Sequence, residues 1–184
     1  SFLWDTNRFL SEDFMPTDKD ILYTRCETVG VAQKEPERRG NKYRVTDVGG
    51  AQSQRKKWIY VFPGVSKLLY TVPLSCYNEI SDRLNRDSTE ALTLFDTLCV
   101  SQWFSTTKIA LCFTKLDVFE RKIQSGRYPI PDCIQNPRYD GAPDDVEAVK
   151  SFLTERFRDL CCKNHANPEI YYINALDTVQ VRDM

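Results

Sequence analysis

Two stretches of this chain are almost unbroken apolar runs, KLLYTVPL at 67–74 and KIALCFTKLD at 108–117. Runs of this length fit strands buried on both faces, as in a parallel sheet flanked by helices. A third run, EIYYINAL at 169–176, reads the same way. Residues 86–104 place Ala91, Leu94, Phe95, Leu98 and Trp103 at helical spacing, and 144–163 repeat the pattern with Val146, Val149, Phe152, Leu153, Phe157 and Leu160. Upstream the elements are shorter. TDKDILYT (17–24) reads as a helix opened by Pro16 and Thr17, with acids in its first turn. Segments 29–34 and 42–48 read as strands joined by the polar turn EPERRGN, hence a hairpin. Strands alternating with helices of about ten or more residues predict a doubly wound α/β fold. The proline-rich stretch 128–143 reads as an insertion on the rim, and the acids at 144–145 as a helix's first turn.

Composition narrows the function more than the fold. With 184 residues there is room for one domain, and 41% hydrophobic with 28% charged residues excludes a disordered tail or a fibre. Lys+Arg 25 against Asp+Glu 26 gives a net charge of -1, which excludes a general nucleic-acid binder. No apolar stretch reaches the roughly 18 residues of a membrane span, and SFLW is not the start of a signal peptide. The missing initial Met points to a natural start further upstream. Seven cysteines (26, 76, 99, 112, 133, 161 and 162) are scattered without C-x-x-C spacing and read as reduced cytosolic thiols. His165, the only histidine, sits in the polar turn KNHANP, which argues against histidine-based catalysis.

Candidate chemistry gathers at strand ends. D-V-G-G at 47–50 follows a strand and precedes the basic helical stretch SQRKKW. Two glycines there let backbone approach a phosphate, and a strand-end Asp commonly holds magnesium through water; a tight turn explains the same pattern. T-K-L-D at 114–117 ends a second strand. A carboxylate there can accept hydrogen bonds from guanine N1 and N2, with the Lys115 stem over the base; a solvated loop is the plain alternative. N-A-L at 174–176 ends a third strand, where the Ala175 N–H can meet guanine O6. In T-R-C-E-T at 24–28, Arg25 can supply positive charge to a transferring phosphoryl group and Thr28 a magnesium ligand, or both simply occupy an exposed loop. The three ends lie in order on the carboxyl edge, where open α/β sheets bind ligands.

Taken together, ILYTRCETVG, DVGGAQSQRKKW, LTLFDTLCVSQWF, FTKLDVFERKI and INALDTVQV resemble the α subunit of heterotrimeric G proteins, from about residue 9 onward. The resemblance implies a Ras-like P-loop GTPase fold, mostly parallel with helices on both faces. It implies residues 1–20 as the remnant of a helical domain and its linker, and 21–184 as the GTPase domain. Nucleotide (GTP/GDP) contacts would come from Leu22, Tyr23, Thr24, Arg25, Cys26, Glu27 and Thr28. Further contacts would come from Asp47, Val48, Gly49, Gly50, Ala51, Thr114, Lys115, Leu116, Asp117 and Ala175. Arg25 would be the built-in arginine finger, Thr28 and (through water) Asp47 the Mg2+ ligands, Gly50 the γ-phosphate sensor, and Lys115 and Asp117 the base readers. Arg55, Lys56, Lys57 and Trp58 would dock a βγ dimer or an effector. A G protein-coupled receptor, a downstream effector and a peripheral place on the cytoplasmic face of the plasma membrane complete what the family implies.

The sequence also departs from that family. No G-x-x-x-x-G-K-[ST] occurs, and the family's phosphate loop and first strand would lie upstream of Ser1. The family's last helix would lie beyond Met184. A fragment or truncated product is therefore expected. Its missing strand would leave the edges of 42–48 and 67–74 unpaired, making the isolated chain marginal or insoluble. A cooperative melt would contradict that expectation. Ala51 stands where the family has its water-orienting glutamine, with Gln52 one residue late, so slow hydrolysis and a bias toward the GTP state are expected. Thr114 replaces the usual Asn of the guanine motif, and CYNEISDRLNRD (76–87) is shorter and less acidic than the family's third switch. The competing readings are a non-hydrolysing module that binds βγ or effector, and an inactive fragment.

Overall fold

The computed structural model describes residues 6–23, 28–78, 87–130, 139–163, 167–175 and 177. The chain divides into two compact units, 1–59 and 60–184.

The first unit opens with two short helices, α1 (Thr6–Phe9) and α2 (Asp18–Tyr23). They are tied by Arg8, whose guanidinium donates to both carboxylate oxygens of Asp20 at 2.6 and 2.9 Å. Thr17 adds its backbone N–H and its hydroxyl to the same carboxylate. These donors, the Arg8 guanidinium first, hold the Asp20 carboxyl well below its ordinary range. Next come β1 (Val31–Lys34), the two-residue strands β2 (Glu37–Arg38) and β3 (Asn41–Lys42), and β4 (Val45–Val48). β1 and β4 pair antiparallel from Val31↔Val48 to Lys34↔Val45, which is the expected hairpin. Its connection, read as a plain turn, is itself a small β2–β3 hairpin. Arg39 and Gly40 turn it with positive φ, 52° and 75°. A 3-10 helix, Gln52–Tyr60, closes the unit where a basic helical stretch was expected.

The second unit is a parallel sheet in the order β5 (Lys67–Pro73), β6 (Lys108–Thr114), β7 (Glu169–Ile173). Parallel neighbours need long crossovers. α3 (Asp87–Cys99) supplies the first; α4 (Leu116–Gln124) and α5 (Val146–Cys162) supply the second. The core is aromatic. Phe113 on β6 meets Phe157 on α5 and stacks on Tyr172 of β7, while Phe95 on α3 meets Phe157 and Tyr70 of β5. Two hydrogen bonds fix the buried hydroxyl-bearing rims, Tyr70 to the Ala91 carbonyl and Thr154 with Tyr172. At the opposite end Lys67 bridges β5 to Glu169 on β7 at 2.6 Å.

Two expectations change. β6 is buried along nearly its whole length, but 67–73 is not buried on both faces: it is an edge strand with Leu69 54% exposed. An apolar run reports affinity for a core, not how many neighbours the strand has. The run 108–117 is no continuous strand, because Lys115 takes a left-handed conformation (φ 57°), stops β6 at Thr114 and caps α4. Within 128–143, residues 131–138 lie outside the described residues.

Candidate functional site

The D-V-G-G loop is fastened from three directions. The Gly49 N–H donates to the Gly30 carbonyl at 3.0 Å, extending the β1–β4 ladder by one rung. The Trp58 indole N–H donates to the Gly49 carbonyl at 2.9 Å, and Arg55 Nε to that of Gly50 at 3.2 Å. Gln54 Oε1 accepts from the Gly30 N–H at 3.1 Å and from Lys57 Nζ at 3.0 Å. The loop therefore rests on the helix that follows it, with Arg55 also over the Trp58 ring. Gly49 is buried and admits no side chain: a Cβ would collide with the Thr28 carbonyl and lie 2.9 Å from Gln54 Cγ. Gly50 is exposed, with open space where a Cβ would stand.

This close approach brings Thr28 against the D-V-G-G loop. Asp47 is exposed and paired with Ala32 across the ladder. A threonine hydroxyl and an aspartate carboxylate are hard oxygen donors of the kind magnesium takes, and two are too few to hold it without phosphate oxygens. No cluster of three or more His, Cys, Asp or Glu suited to a metal occurs among the described residues. Leu22 and Tyr23 end α2. Thr24, Arg25, Cys26 and Glu27, including the expected arginine finger, lie outside the described residues.

The base-reading candidates sit in the second unit. Registers Pro73↔Thr114 and Thr114↔Ile173 bring the carboxyl ends of β5, β6 and β7 level. Thr114–Asp117 and Ala175 thus leave adjacent strands at one end of the sheet. Ala175 is exposed in the turn after β7. Asp117 is not on a loop after the strand: it occupies the first turn of α4. Arg121, one turn later, donates from Nη2 to Asp117 Oδ2 at 3.1 Å and from Nε to the Asp117 carbonyl at 3.0 Å. Lys122, on the same helix, donates to the Ser75 carbonyl and Asn78 Oδ1, tying α4 to the segment after β5.

The sequence reading missed Gln54 as a brace, the inward role of Trp58 and the Arg121 clasp. Only the last had a readable signal, an acid–arginine i,i+4 pair that becomes visible once α4 is placed. Ala51 is half-buried and its carbonyl accepts from the Gln54 N–H at 2.8 Å, while Gln52 is exposed.

A parallel α/β sheet with its polar loops gathered at the strand ends defines the class. The family follows from comparison with known proteins. The family model described as the G-protein alpha subunit matches residues 1–184. The guanine nucleotide-binding protein alpha-2 subunit of Mycosarcoma maydis is 38% identical over 180 residues, 94% of this chain and 48% of that protein. A guanine nucleotide-binding protein subunit alpha of Sporothrix schenckii is 37% identical over 180 residues, 95% of this chain and 49% of that protein. The alpha-1 subunit of Neurospora crassa matches to the same extent. The chain belongs to the G-protein alpha subunit family. Its fold is that family's Ras-like α/β fold, incomplete, and the chain spans about half the length of the curated relatives it matches.

Proposed function

We propose that this chain is the switch-bearing part of a guanine nucleotide-binding signal transducer that binds GTP and GDP and hydrolyses GTP slowly. The observation that carries the reading is the packing of Thr28 against Gly49, which sets a hydroxyl residue beside a strand-end Asp-Val-Gly-Gly loop. The two ends of the β1–β4 hairpin coming together in this way are what a phosphate-sensing pair of loops needs.

In this reading Gly50 offers its N–H to the γ-phosphate, and Thr28 and Asp47 face the magnesium that accompanies it, Asp47 through water. Magnesium, when bound, neutralises charge on the phosphate oxygens. Arg25 adds positive charge at the transferring phosphoryl group. Lys115 and Asp117 read the base, Ala175 supports it, and Leu22–Glu27, Val48, Thr114 and Leu116 complete the lining. Ala51 has no group to orient water, so turnover is slow. Residues 1–20 then belong to a helical domain and 21–184 to the GTPase domain. Partners are a βγ dimer and an effector at Arg55–Trp58, and a G protein-coupled receptor, on the cytoplasmic face of the plasma membrane. Within the helix that would dock them, Lys56 and Lys57 are exposed while Trp58 is half-buried and spent on Gly49. No helix among the described residues is long and apolar enough to cross a membrane.

The test is base exchange. In the full-length protein Asp117→Asn places an amide N–H2 where a carboxylate accepted from guanine, which suits the C2 carbonyl of xanthine. The preference for GDP over xanthosine diphosphate should fall by about 10²-fold or more. An unchanged preference in equilibrium binding would contradict the assignment of Asp117.

A further inference from the structure

We propose that Arg121 is a positioning residue for base recognition, holding the Asp117 carboxylate in the orientation that accepts two parallel hydrogen bonds from guanine. The inference rests on the reading of Asp117 given above and adds a determinant of base selectivity outside the T-K-L-D motif.

Two pulls act on the Asp117 side chain. It lies in the first turn of α4, where the cap residue Lys115 makes no side-chain bond to the helix. The N–H groups of that turn draw an acid back toward the backbone. Arg121 opposes them from one turn further along. Its Nη2 takes Asp117 Oδ2 at 3.1 Å while its Nε holds the Asp117 carbonyl at 3.0 Å. The Nε bond anchors the planar guanidinium on the Asp117 backbone, and the Nη2 bond then holds Oδ2, which narrows the directions in which the carboxylate faces. A lysine offers a point charge and no such plane.

The clasp leaves acceptor capacity for a base. A carboxylate has about four lone-pair sites, and Arg121 uses one on Oδ2. Arg121 is 73% exposed and Asp117 37% exposed, so the pair adds little to stability, and its effect lies in orientation. Orientation matters most for a ligand that donates twice. Guanine presents N1–H and N2–H side by side, whereas hypoxanthine presents N1–H alone and tolerates a swivelled carboxylate. Arg121 therefore contributes to choosing guanine over hypoxanthine, through a bond it makes to Asp117 rather than to the base.

The experiment measures equilibrium affinities for GDP and inosine diphosphate in the full-length protein, as wild type, Arg121→Ala and Arg121→Lys, with Asp117→Asn in parallel against GDP and xanthosine diphosphate. Immobilising one side chain sets the scale, so Arg121→Ala should weaken GDP about 3- to 10-fold while changing inosine diphosphate less than about twofold. Arg121→Lys should fall between. Equal losses for both nucleotides, as from a merely loosened α4, would overturn the inference, as would no loss for either. If Asp117→Asn gains no xanthosine diphosphate preference, the base-reading assignment itself fails, and the clasp is then only a helix-surface ion pair.

Discussion

At the residue scale the two glycines of D-V-G-G separate cleanly. Gly50 has room for a side chain and Gly49 has none, because the Thr28 carbonyl occupies the place of its Cβ. A backbone oxygen cannot rotate aside, so Gly49→Ala must displace either the segment leading into β1 or the loop. Amide exchange over residues 45–49 should accelerate at least about tenfold in this variant; unchanged protection would show that the loop yields without opening the ladder. The cysteines give a second prediction. Burial pushes the Cys99 thiol up to about 12 and raises Cys112 and Cys161, while Cys162 is exposed. Only thiolate reacts readily, so at pH 8 Cys162 should alkylate first of the five described cysteines, with Cys99, Cys112 and Cys161 silent until unfolding. Peptide mapping after brief iodoacetamide treatment reads this directly. Rapid labelling of Cys99 would contradict its burial at the end of α3.

At the element scale, what could be read from the sequence tracks how local the determining physics is. β6 and α5 were legible because their apolar spacing is set by their own burial, against each other and against α3. β5 was legible as a strand, and its exposed face was not, since burial depends on what packs against each face and not on KLLYTVPL itself. α4 was hidden because its opening Leu116 follows closely on the apolar run of β6, and only the left-handed turn at Lys115 separates the two elements. D-V-G-G was visible as a motif, but Trp58 and Gln54 fold back on the loop from the helix that follows it, which spacing does not reveal. The packing of α5 carries its own prediction. Phe157 touches Tyr70, Phe95 and Phe113, so Phe157→Ala should destabilise the second unit by about 3–5 kcal/mol. Denaturant unfolding measures it, and a loss below about 1 kcal/mol would mean the ring cluster is not the centre of the core.

At the scale of the whole molecule, family membership and local geometry point the same way, and the departures give the chain its character. In the proposed reading Thr28, Asp47 and Gly50 form the phosphate sensor, and Ala51 lacks the side chain that would aim water at the phosphoryl group. The central claim is therefore a guanine nucleotide switch whose hydrolysis is limited by one missing amide. Single-turnover hydrolysis of bound GTP by the full-length protein, wild type against Ala51→Gln, tests it most directly. The wild-type rate should be slow and should rise by about 10²-fold or more when glutamine is restored. Bound GTP turning over no faster in Ala51→Gln, or no GTP bound by either protein, would contradict it.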